Sequence, residues 1–111
     1  MSNQSLQIKR MPLSDRPREK LITKGPSNLK DSELLAILLG TGIEGKSALD
    51  MACQILKKYS KRRILKLNFK DLSKIKGIGP AKACILLASQ EFVKRALDLG
   101  EETLPVIKSA K

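Results

Sequence analysis

Apolar residues recur along most of this chain at helical spacing, and prolines, glycines and capping residues cut the pattern into short segments. Asp15-Arg16-Pro17 opens a first helix, with proline tolerated in its first turn, and Gly25-Pro26 closes it near Lys24. The stretch KDSELLAILLG places Asp31 and Glu33 at the positive end of a second helix that stops on Gly40. Its apolar run holds one β-branched residue among Leu and Ala, which favours helix over buried strand. Ser47-x-x-Asp50 reads as a capping box for a third helix, with Leu49, Ala52, Cys53 and Leu56 at helical spacing and Lys57 and Lys58 suited to its C-terminal end. A short turn over residues 64–67 follows, and Asn68-x-x-Asp71 then caps a brief helix ending near Ile75. The last helix runs from Pro80 to about Leu99 and stops at Gly100. Because residues 83–88 are apolar on every side, it is expected to be the central buried helix.

The pattern thus predicts an all-α fold, a compact bundle of five to six short helices, and composition agrees. Apolar residues make up 41% of the 111, but aromatics only 3%, so the core is built from Leu, Ile and Ala. The length suits one domain. Residues 15–100 form it, after a flexible segment 1–14 and before an extended tail, 101–111. The longest apolar runs, 34–39 and 83–88, are far too short for a membrane span, and MSNQSLQIKR lacks the apolar stretch of a secretory signal. A cytoplasmic protein is expected, with Cys53 and Cys84 reduced and buried as small hydrophobes. There is no histidine, which removes any Ser/His/Asp arrangement, and two cysteines cannot close a zinc site. The inventory argues for neither an enzyme nor a metal or other cofactor.

Charge changes the picture more. Residues 51–90 carry 10 basic side chains against one acid, Asp71, so nearly all of the +11 net charge sits in the middle of the chain. Lys57, Lys58, Lys61, Arg62, Arg63 and Lys66 form a belt there, with Lys74 close behind. A solvated helix end would account for scattered lysines but not for such lopsidedness, which is what a polyanion partner selects. No aromatic-bearing amphipathic helix accompanies it, so nucleic acid is favoured over a membrane surface.

Just after the belt lies LSKIKGIGPAKACIL. Two helices join through Lys76-Gly77-Ile78-Gly79, and Pro80 fixes the first position of the second. Glycines here would let a ligand approach the backbone, with Gly79 expected at positive φ. The amides of the turn and of Ala81 and Lys82 would point outward at a helix N-terminus, an anion site flanked by Lys76 and Lys82. Ile78 would tuck between the helices, packed by Leu72, Ile75, Ala83 and Leu86. The pattern L-x-x-I-x-G-I-G-P-x-x-A closely resembles the helix-hairpin-helix motif, which implies sequence-independent binding to the DNA backbone. An echo, Gly40-Thr41-Gly42 followed by Lys46, lies 37 residues earlier. It departs from the motif, so the expectation is a pseudo-dimer of two hairpin units in which the first contacts phosphate more weakly.

The segments DRPREKL, ELLAILLGTG and GKSALDMA, followed by the GIG hairpin, occur in the order seen at the start of RadC proteins. These are bacterial proteins labelled as DNA repair factors. The resemblance covers residues 10 to 108 and implies that LPVIKS leads into a second domain, a JAB/MPN-type zinc hydrolase whose ligands this chain lacks. Helix-hairpin-helix DNA glycosylases are also similar, but where lyase-competent members place a nucleophilic lysine this chain has Ala81. The resemblance therefore implies a DNA-binding module for duplex or branched DNA that serves the C-terminal JAB/MPN domain. Few aromatics (Tyr59, Phe69, Phe92) favour backbone contact over base stacking. A protein-interaction or scaffolding module regulating that domain is the alternative.

Overall fold

Three consecutive helices begin where a short polar side chain takes the place of the missing helical partner. Ser47 Oγ accepts from the Asp50 amide (3.1 Å), Ser60 Oγ from Arg63 (3.1 Å) and Asn68 Oδ1 from Asp71 (2.8 Å). These caps start α3 (Ala48–Lys58), α4 (Lys61–Ile64) and α5 (Phe69–Ser73). A computed structural model describes residues 16–98, so the expected segments 1–14 and 101–111 lie outside the described residues. Before the capped trio come α1 (Pro17–Lys24), a 3-10 turn (Pro26–Asn28) and α2 (Asp31–Leu39); after it comes α6 (Pro80–Asp98). The described residues thus form an all-α bundle of six helices without a named strand, apart from an isolated bridge between Ile43 and Lys46.

The start of α2 is held differently. The Glu33 carboxylate accepts from the Lys30 amide at 2.7 Å and from Lys20 Nζ at 3.0 Å, which ties α1 to α2. Burial pushes the Glu33 carboxyl up, but the Lys30 amide and the Lys20 ammonium outweigh it and hold it below its ordinary value.

The core runs through Leu35, Ala36 and Leu39 of α2, then Ala48, Leu49, Met51, Ala52 and Ile55 of α3. Leu72, Ile78, Ala83 and Leu86 complete it from the second half of the chain. Helix α2 packs against both α3 and α6, and α5 against α6, so the chain forms two helix–loop–helix units, α2–α3 and α5–α6, joined through α2 and α6. Leu39 and Leu72 are among the most deeply buried side chains, one from each unit, and each stabilises the bundle by about 1.5–3 kcal/mol.

Ser60 caps a further short helix, α4, within the basic stretch, and α5 ends at Ser73, within two residues of the end expected near Ile75. Two expectations are corrected. Helix α6 is not buried all round. Only Ala83 and Leu86 of it are buried, because a single face meets α2 and α5, and Ile85 and Ala88 face outward. Farther along, Phe92 and Leu97 are 77% and 74% exposed. Cys84 is exposed for the same reason, one position past Ala83 and off the packing face, while Cys53 is half-buried.

Candidate nucleic-acid interface

The two glycine loops, far apart in sequence, meet at one end of the bundle. Lys82 Nζ in the first turn of α6 donates to Thr41 Oγ1 at 3.1 Å, and a Cβ built on Gly77 would lie 3.3 Å from Ile43 Cγ2. Their backbones nevertheless serve different ends. In the first loop the Thr41 amide turns back on Leu39 O (2.9 Å) about Gly40, a tight γ-turn at φ 80°, ψ −67° that glycine accommodates best. Ile43 and Lys46 exchange both amide bonds at 2.9 Å, and the Ser47 and Asp50 amides are taken by the capping box. Gly42 sits inside this knot: a Cβ there would lie 2.0 Å from Lys46 O and 2.6 Å from the Ser47 carbonyl carbon.

In the second loop Ile78 is buried, its amide bonded to Ile75 O at 3.0 Å, so it can offer a ligand only backbone. The positive φ expected at Gly79 belongs instead to Gly77, at 92°, where an added Cβ would also meet Met51 Cε at 2.8 Å. Gly79 has no positive φ, and a Cβ there would meet nothing within 4 Å. It is exposed, with Pro80 and Ala81 beside it. The first bond of α6 runs from the Ala83 amide to Gly79 O at 3.0 Å. Pro80 has no amide hydrogen, and the amides of Ala81 and Lys82 have no partner among the described residues. Where α3, α4 and α5 are closed by a side chain, α6 starts on a glycine that leaves its positive end open.

The lysines divide into groups. Lys58, Lys74 and Lys76 line one groove beside the second turn, while Lys46 reaches the same side through a 2.8 Å bond from its Nζ to Gln54 Oε1. Lys57 is exposed at the end of α3. Lys61 is turned away to Asp31, in an exposed pair at 3.1 Å. Arg62, Arg63 and Lys66 are exposed on and just after α4. That segment is anchored by Gln90, which donates to Ile64 O (2.9 Å) and Leu67 O (3.1 Å), about 16 Å down α6 from Gly79. The belt that is continuous in sequence is therefore split in space. Sequence reasoning missed Gln54 and Gln90, which carry no charge and no motif and act only through where the helices bring them.

The arrangement offers two open amide donors and, in Lys58, Lys74 and Lys76, cations without an ion-pair partner among the described residues, groups able to bind an anion. No three Cys, Asp or Glu side chains gather among the described residues. No described helix is long and apolar enough to cross a membrane.

The family model described as UPF0758 N-terminal matches residues 8–84. A UPF0758 protein of Staphylococcus epidermidis is 50% identical over 91 residues, covering 81% of this chain and 40% of that protein. One from Alkaliphilus metalliredigens is 46% identical over 91 residues, covering 79% and 39%. One from Methanococcoides burtonii is 36% identical over 110 residues, covering 99% and 48%. The chain thus spans less than half the length of these relatives, and no solved structure matches it. The match over most of its length places the chain in the UPF0758 family, the family of RadC proteins, whose N-terminal region it covers.

Proposed function

We propose that this domain binds DNA through the phosphate backbone without reading sequence, using a helix-hairpin-helix turn formed by α5, Lys76-Gly77-Ile78-Gly79 and α6. The observation that carries this reading is Gly79. Neither backbone conformation nor internal space calls for glycine there, and a serine or asparagine would cap α6 better by a few tenths of a kcal/mol. What the missing side chain leaves is access to the amides of Ala81 and Lys82, at the positive end of a 19-residue helix, between Lys76 and Lys82. Phosphate is the anion that such a site and the surrounding lysines suit. In a longer protein the module would deliver the remaining half to DNA, in keeping with the DNA-repair label of RadC proteins. Anisotropy titration of two unrelated labelled duplexes at two salt concentrations tests it. Equal affinities that fall steeply with salt are expected, and no binding at low salt would refute the reading.

The outer face of α6 favours a second reading. Ile85, Phe92, Val93 and Leu97 are exposed along it, an apolar surface that fits a protein partner, such as the C-terminal domain of a full-length protein. If that surface is used, Phe92→Asp removes binding to the separately expressed C-terminal half and leaves DNA affinity unchanged; retained binding would exclude it.

A further inference from the structure

A groove of about 200 Å³ lies against the Lys76–Gly79 turn, between the C-terminal end of α3 and the chain leading out of α5. Its polar rim is Gln54, Lys58, Lys74 and Lys76, and Tyr59 and Met51 contribute its apolar surface. No acid lines it, and none of these three lysines makes an ion pair among the described residues. Tyr59 is half-buried, packed against the core, with Lys58 Nζ 5.6 Å from its ring centroid. Gln54 is oriented by the bond that its Oε1 accepts from Lys46, which leaves its amide nitrogen as a donor without a partner among the described residues.

We infer that this groove receives one unpaired nucleotide, so that the domain prefers DNA carrying a single-stranded end or gap over continuous duplex. The inference rests on the DNA-binding reading above. At about 200 Å³, lined by side chains of α3 and the chain leading out of α5, the groove is on the scale of one base. A ring surface, an amide donor and three cations are what one extruded nucleotide requires: stacking, an edge contact and neutralised phosphates. Lys76 belongs both to the groove lining and to the turn that precedes α6, which is the link between this groove and the phosphate site proposed at the Ala81 and Lys82 amides. The scarcity of aromatics argues against stacking in general, yet the chain's single tyrosine is in this groove.

The chain has one tyrosine and no tryptophan, so its intrinsic emission reports on Tyr59 alone. The test compares a blunt duplex with the same duplex bearing a short unpaired tail, followed by labelled-DNA anisotropy and by tyrosine emission. The tailed DNA is expected to bind about tenfold more tightly and to quench Tyr59, with little quenching by the blunt duplex. Tyr59→Leu, checked for folding by circular dichroism, is expected to erase the preference. Equal affinities with unchanged emission, while both DNAs bind, would overturn the groove and leave the backbone reading standing. Failure of both DNAs to bind at low salt would overturn the two together.

Discussion

The loop between α2 and α3 and the turn between α5 and α6 share the spelling Gly-x-Gly, lie side by side, and are built to opposite ends. The first is closed on itself. Thr41, Ile43 and Lys46 amides bond within the loop, Ser47 caps the next helix, and Gly42 is glycine because the loop's own backbone occupies the space a side chain would need. The second is open. Gly77 takes up the left-handed conformation and the internal crowding, and Gly79, two residues on, answers to neither. A glycine with no internal reason, at a helix start without a capping side chain, directs attention to something outside the chain.

If this contrast is right, substitutions should separate stability from binding in the two loops. The largest effect is expected at Gly42. Its alanine variant sets Cβ against backbone atoms of Lys46 and Ser47 that cannot move without opening the Ile43–Lys46 bridge. A loss of about 3 kcal/mol is expected, near the upper end for overpacking, read as a fall in melting temperature of roughly 10–20 °C. A melt like the parent's would mean that the first loop is not closed in the way described. Gly77→Ala should cost less, about 1–2 kcal/mol from the left-handed backbone, because the Met51 side-chain end it meets can swing aside. A cost equal to that of Gly42→Ala would mean that Met51 is held too firmly to yield.

Salt dependence sharpens the same contrast at smaller scale. Lys74→Ala with Lys76→Ala should flatten the slope of log K against log salt by about 1.8, from two phosphate contacts. Arg62→Ala with Arg63→Ala should flatten it less, since α4 is held well down α6 from the open turn. The reverse order would shift the interface to α4.

Much of this was legible in the sequence because capping is local. Ser47, Asn68 and the prolines at 17 and 80 mark helix starts within a residue or two, and periodicity placed Leu72, Ile78, Ala83 and Leu86 inside. What could not be read was which side of a uniformly apolar segment would be covered. Residues 83–88 look buried on every side, and only the placement of α2 and α5 decides that Cys84, Ile85 and Ala88 are outside. The hairpin was legible as a pattern, but the pattern does not say which glycine bears the positive φ. Nor could charge counting foresee that Lys61 turns to Asp31 while Lys58, Lys74 and Lys76 share a groove, because that depends on contacts between helices.

The central claim is that the start of α6 is left uncapped so that a phosphate can take the place of a cap. Gly79→Ser tests it most directly, because the new side chain has open space, needs no unusual backbone, and supplies a hydroxyl to the amides now free. Thermal melting and duplex titration on the same preparation give both readouts. The account predicts a melting temperature equal to or slightly above the parent's, together with DNA affinity reduced about tenfold, the order of one lost charge-assisted contact. A serine variant that melts no lower and binds duplex as the parent does would contradict it, and would leave the glycine turn a connection between two helices and nothing more.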